Sequence, residues 1–169
     1  GIEGIDMAFR AMLNPGDEVI VFGPYFADYA SQAALAGGRA VEVLTYEADA
    51  YRPQEDALRR AITSKTRAMI VNTPCNPTGA AYTEDELGIW VRHVLSTGSV
   101  MIYDAAYSMF ISDADRVHPR TVYAVPEARK CAIEVNSFSK SAGFTGLRCG
   151  FTVIPAELTV DGTALSGVW

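Results

Sequence analysis

A three-layer α/β fold, with a mostly parallel central sheet between two layers of helices, is predicted by three observations. Short β-branched runs alternate with helix-spaced apolar stretches along the whole chain, the order of an α/β layer protein. The run Arg67 to Asn72 has an unbroken apolar centre, Ala68 to Val71, as expected of a buried strand. The chain has 169 residues, of which 49% are hydrophobic and 20% charged, enough to build one domain around a sizeable core.

The elements follow in order. Ile5, Ala8, Phe9, Met12 and Leu13 recur at helical spacing within Gly1 to Leu13, and Asn14-Pro15-Gly16-Asp17 ends that helix. Glu18 to Phe22 reads as a strand, Phe26 to Ala36 as a helix closing on Gly37-Gly38, and Ala40 to Thr45 as a second strand. Gln54 to Ile62 suits a helix and Arg67 to Asn72 a buried strand. Thr83 to Ser96 suits a longer helix, with Glu86 at capping-box distance from Thr83. Val100 to Tyr103, Lys130 to Asn136 and Cys149 to Ile154 complete the strands, and the last is allowed to differ in direction. Polar motifs follow the strands that end near Asn72, Tyr103 and Asn136, and sheets of this kind bind ligands at the carboxyl ends of their strands.

Charge and composition narrow the function classes. A net charge of -6 repels a phosphate backbone, so no nucleic acid partner is expected. Cys75, Cys131 and Cys149 are odd in number and lack metal-ligand spacing, which fits packed thiols in a reducing compartment. His93 and His118 have no second ligand at metal spacing, so they are expected to be solvated and no metal site is expected. The longest apolar runs are strand-sized and no signal-peptide pattern opens the chain, so neither a membrane partner nor export is expected, and the location expected is cytoplasmic. The opening at Gly1 within a helix and the close at Gly167-Val168-Trp169 read as cut ends of a longer protein.

The residues that carry chemistry lie in three strings. Asn72-Thr73-Pro74-Cys75-Asn76-Pro77-Thr78-Gly79 comes first, then Tyr103-Asp104-Ala105-Ala106-Tyr107, then Ser137-Phe138-Ser139-Lys140-Ser141-Ala142-Gly143-Phe144-Thr145-Gly146-Leu147-Arg148. Together they supply an amine, a carboxylate, a phenol, an amide and a guanidinium, which matches the needs of pyridoxal 5'-phosphate. Lys140 lies on a glycine-permitted loop and would form the Schiff base; on its own it would read as a solvated surface lysine. Asp104 ends an apolar strand, where a carboxylate needs a partner such as a pyridinium N–H; otherwise it is a cap or turn aspartate. Asn76 and Tyr107 would donate to the phenolic oxygen, although Asn-Pro-Thr-Gly alone is a turn and Tyr107 alone is core packing. Arg148, Ser137 and Ser139 would hold the phosphate, with backbone N–H groups of Gly1 and Ile2 at a helix start. Phe26, in Gly23-Pro24-Tyr25-Phe26-Ala27-Asp28-Tyr29, would stack on the ring or pack in the core.

These strings, in this order, resemble the fold-type I pyridoxal-phosphate aminotransferases of class I/II over essentially the whole chain. The resemblance implies the partial large, cofactor-binding domain at 1–169, with an amino-terminal arm and a carboxy-terminal small domain outside the chain. It implies Lys140 as the Schiff-base lysine and proton carrier, Asp104 on the pyridine nitrogen, and Asn76 and Tyr107 on the phenolic oxygen. It places Ser137, Ser139 and Arg148 on the phosphate and Phe26 against the ring. It also implies an amino acid and a 2-oxo acid as substrates and a homodimeric parent. From Asn76 onward, especially Tyr103 to Asp113 and Ser137 to Pro155, the chain is similar to LL-diaminopimelate aminotransferases of lysine biosynthesis. Asn14 to Val19 and Pro24 to Phe26 look more like aspartate-type members. A β-lyase with the same cofactor contacts, an aspartate- or aromatic-type transaminase, and a cofactor-binding sensor domain of a transcription regulator stay open as alternatives.

Overall fold

Alternate residues along the strands face opposite layers, and that period of two builds two cores from one sheet. The computed structural model describes residues 1–167 and 169. Val168, part of the end read from sequence as lacking a closing element, lies outside the described residues. The sheet contains β1 (Glu18–Gly23), β2 (Arg39–Leu44), β3 (Thr66–Asn72), β4 (Val100–Asp104), β5 (Ala132–Ser137) and β6 (Gly150–Val153). Its strand order is β2-β1-β3-β4-β5-β6. Every pairing is parallel except β5 with β6, so the last strand does run against the others.

Four helices form the outer layers: α1 (Ile2–Met12), α2 (Asp28–Leu35), α3 (Glu55–Ala61) and α4 (Glu84–Thr97). Ile20, Met69, Val71, Met101 and Tyr103 point to one face, where Leu58 of α3 and Leu87, Trp90 and Val94 of α4 cover them. Val19, Val21, Ala68, Ile70 and Ile102 point to the other, against Ile5 and Phe9 of α1 and Tyr29 and Ala33 of α2. Burial on both faces explains the unbroken apolar runs Val19 to Phe22, Ala68 to Val71 and Val100 to Tyr103 within β1, β3 and β4. A short helix α5 (Phe138–Ser141) follows β5, and a two-stranded ribbon, β7 (Thr159–Val160) with β8 (Thr163–Ala164), comes later.

Several boundaries differ from the sequence expectation for local reasons. Phe26 and Ala27 precede α2, which starts at Asp28. Lys130 falls in a 3₁₀ turn over Ala128–Lys130, where its ammonium pairs with Glu127, and β5 begins two residues later. Both histidines, expected to be solvated, are half-buried against carboxylates. His93 Nε2 is 3.1 Å from Glu55 Oε1 and His118 Nδ1 is 2.8 Å from Asp115 Oδ2. Cys131 is buried and Cys75 half-buried, but Cys149 is exposed, so the expectation of packed thiols fails there. Among the described residues, no helix is long and apolar enough to cross a membrane, and no group of three His, Cys, Asp or Glu is placed to hold a metal ion.

The capping box at α4 is complete: Thr83 Oγ1 accepts from Glu86 N at 3.2 Å and Glu86 Oε2 accepts from Thr83 N at 2.8 Å. At the other end Gly98, at φ 67°, closes α4 in the left-handed conformation. Thr83→Ala removes the side-chain acceptor, and we expect a loss of about 1 kcal/mol, read as a lower urea midpoint of the full-length protein. An unchanged midpoint would mean that the cap contributes nothing.

Candidate functional site

Because β1, β3, β4 and β5 are parallel, their carboxyl ends share one edge of the sheet, and the loops leaving that edge converge. A cavity of about 220 Å³ lies there. Asn76 reaches it from the loop after β3, Asp104 and Tyr107 from the end of β4, and Ser137, Ser139 and Lys140 from the end of β5 and α5. Arg148 comes from the segment before β6, Gly1 and Ile2 from the start of α1, and Phe26 from the turn before α2. All ten residues singled out from sequence therefore line one cavity. Asp28, Tyr29, Asn72, Ala106 and Thr145 line it too and were not singled out.

Asp104 is the best-anchored group. Its Oδ2 accepts from the Tyr29 hydroxyl at 2.6 Å and its Oδ1 from Ala106 N at 3.0 Å. Burial pushes its carboxyl above the ordinary aspartate range, and the bonds from Tyr29 and Ala106 pull the other way. Tyr29 is itself buried, and burial followed by the charge of Asp104 drives its phenol well above the ordinary value, so it keeps its proton and donates to Asp104. Proximity in sequence to Phe26 was the one hint of Tyr29; its partner is 75 positions away.

The lysine segment is built by local bonds. Ser137 caps α5, its Oγ accepting from Ser139 N at 3.2 Å. Arg148 Nη1 donates to Thr145 O at 2.8 Å and reaches Ser139 Oγ at 3.4 Å. These contacts hold the guanidinium beside Ser139, and the Arg148 backbone is left-handed at φ 53°. Lys140 Nζ lies 5.5 Å from the centroid of the Tyr107 ring, within cation–π range. Phe26 is partly exposed at the cavity and meets Tyr29 edge-on at 5.7 Å.

The amino-terminal end of α1 stands against Ser137: a Cβ built on Gly1 would lie 3.4 Å from Ser137 Cβ. Gly1 and Ile2 line the cavity, which brings the positive end of the α1 dipole to it together with Arg148. The cavity thus brings together an arginine, two serines and a helix start with the buried carboxylate of Asp104. Pyridoxal 5'-phosphate fits that donor set, since its phosphate is an anion and its ring nitrogen, when protonated, is a cationic N–H donor. The remaining groups, Lys140, Asn76 and Tyr107, are an amine and two donors for its aldehyde and phenolic oxygen.

An α/β protein with strand-end loops gathered around an amine, a carboxylate and an anion cradle is the class that the fold and site define. Comparison with known proteins places it further. The family described as aminotransferase class I and II matches residues 1–164, and the chain belongs to that family. Family members use pyridoxal 5'-phosphate. The LL-diaminopimelate aminotransferase of Lachnospira eligens is 52% identical over 96 residues, 57% of this chain and 23% of that protein. The aspartate/prephenate aminotransferase of Thermus thermophilus is 34% identical over 158 residues, 94% of this chain and 40% of that protein. Among solved structures, an aspartate aminotransferase from Thermotoga maritima superposes with a TM-score of 0.86 at 31% identity, over 98% of this chain and 43% of that one. The chain therefore spans well under half the length of these relatives.

Two outcomes test this geometry. At Gly150, an added Cβ would sit 2.4 Å from the Asn136 carbonyl oxygen and 3.2 Å from Gly1 N, so Gly150→Ala must push β6 from β5. We expect a loss of about 1–3 kcal/mol by urea unfolding, whereas Gly146→Ala, with nothing within 4 Å, stays near neutral. Equal effects would contradict the packing.

The second test concerns Tyr29→Phe. Because burial raises the Asp104 carboxyl above its unfolded value, its contribution to stability is present at acid pH and lost as pH rises through its titration in the folded state. Removing the Tyr29 donor raises it further. The variant's stability deficit, measured by urea unfolding without cofactor, should then be larger at neutral pH than near pH 4, about the ordinary aspartate value. A deficit independent of pH would disconnect Tyr29 from the charge on Asp104.

Proposed function

We propose that the parent of this chain is a pyridoxal 5'-phosphate-dependent transaminase, moving an amino group between an amino acid and a 2-oxo acid, and that 1–169 is part of its large, cofactor-binding domain. The observation that carries this reading is the single cavity that gathers a lysine, a buried carboxylate and an arginine-serine cradle. When bound, the cofactor supplies an aldehyde that captures amines and a protonated ring that accepts the electron pair left at the substrate's α-carbon.

The chain's residues do the rest. Asp104 would hold the ring nitrogen protonated, with Tyr29 and Ala106 N orienting its carboxylate. Asn76 and Tyr107 would hold the phenolic oxygen, Phe26 would cover a ring face, and Ser137, Ser139, Arg148 and the α1 start, which line the same cavity, would hold the phosphate. Lys140 would hold the cofactor's aldehyde carbon. Its amine would carry a proton between the substrate's α-carbon and the cofactor's C4' position.

The narrower reading is transfer between LL-diaminopimelate and 2-oxoglutarate, favoured by the 52% identity to the Lachnospira eligens protein. An aspartate-type specificity is the rival, favoured by the Thermus thermophilus relative, which aligns over more of the chain. The parent is proposed to be a homodimer, with its arm and small domain supplied by the rest of the protein.

The test uses the full-length parent loaded with pyridoxal 5'-phosphate. Borohydride should attach the cofactor to Lys140, and Lys140→Ala should lose the label and lower turnover by at least about 100-fold. Absence of a label on Lys140 would overturn the reading. Glutamate-dependent, stoichiometric oxo-acid formation separates transfer from a β-lyase, which would release pyruvate and ammonia from a cysteine-type substrate. Turnover with aspartate and none with LL-diaminopimelate would reject the narrower specificity alone.

A further inference from the structure

Asn72 ends β3 and is buried, and the cavity edge runs past it. Its register partner on β4 is Asp104. Both halves of its amide are used. Nδ2 donates to the Asp104 backbone carbonyl at 3.0 Å, and Oδ1 accepts from Asn76 N at 2.8 Å. The amide orientation follows from chemistry, because turning it over would set two donors against each other and two lone-pair groups against each other. An aspartate here would face the Asp104 carbonyl with a second acceptor, and an aliphatic side chain would leave both backbone groups without a partner.

The two groups bridged by this amide belong to different loops of the site. The Asn76 loop has other anchors of its own: Cys75 N donates to Ala80 O at 2.8 Å, Gly79 N to Cys75 O at 2.7 Å, and Tyr82 N to Thr73 Oγ1 at 3.0 Å. Beyond Asp104, the chain is held by Ala105 N donating to Val135 O at 2.9 Å. Each loop therefore keeps its own shape without Asn72. What the amide adds is the distance between them.

We propose that Asn72 is a positioning residue that couples the ring-nitrogen side of the site to the phenolic-oxygen side by tying Asn76 to the end of the Asp104 strand. The inference rests on the functional reading above, in which Asn76 and Asp104 contact the same cofactor ring. A rigid ring cannot meet both unless their separation is set beforehand, and the chain sets it with one planar group that is at once donor and acceptor.

A double-mutant cycle in the full-length protein tests this, with the dissociation constant of pyridoxal 5'-phosphate and the position of its bound visible absorption band as readouts. Asn72→Ala and Asn76→Ala should each weaken binding by about tenfold, and the double variant by about tenfold again rather than a hundredfold, because the two act as one unit. The band should move in the same direction in both single variants. Asn72→Ser, which keeps one hydroxyl, gives a second cycle if the alanine variant does not fold. Penalties that multiply in the double variant would overturn the proposal and reduce Asn72 to support of the fold. A wild-type protein that binds no pyridoxal 5'-phosphate would instead bring down the functional reading itself, a result distinct from multiplying penalties.

Discussion

A carboxylate buried at the end of an apolar strand is the constraint around which this site is organised. Asp104 ends a strand whose five residues are all buried, and it brings a negative charge into that setting. Its partners within the chain, a tyrosine hydroxyl and a backbone N–H, are neutral. Neutral donors orient a carboxylate but do not cancel its charge, so the folded chain holds an acid that a cationic guest would stabilise. On the proposed reading that guest is the protonated ring, and the stability lost in burying Asp104 is recovered as affinity for it.

The scaffold makes this possible by separating two tasks that the same residues would otherwise share. Side chains along β1, β3 and β4 fill two apolar cores, one under α3 and α4 and one under α1 and α2. Polar groups are left to the ends of those strands, where the parallel order gathers them on one edge. Asn72, Asp104 and Ser137 are the last residues of three neighbouring strands. Their relative positions are thus fixed by the backbone ladder, and short loops need only carry the next few residues into place.

Sequence made most of this legible, and the gaps have physical causes. The apolar runs and the Thr83-Glu86 pair are local signals, so the strands and the capped helix could be read from neighbouring letters. The ten candidate site residues could be read because their chemistry is distinctive at short spacing. Tyr29 and Asn72 could not, since a tyrosine on an apolar helix face and an asparagine at a strand end have bland local explanations. Their importance arises from partners 75 and 32 positions away, which only the packing of α2 and the β3–β4 register bring close. Lys130 was misplaced for the opposite reason: a pattern of apolar residues cannot register the tight turn that ends at it, with its ammonium paired to Glu127.

Polarity also sets which guests suit the cavity. Arg148, the serines and the start of α1 attract an anion, and Asp104 attracts a cation. A molecule with an anionic group and a cationic N–H therefore finds a partner for each among the residues that line the cavity. Lys140 reaches the same cavity from the short helix after β5, beside the ring of Tyr107. On the proposed reading, Lys140 is the amine in this cavity that would capture an electrophilic carbon of the guest.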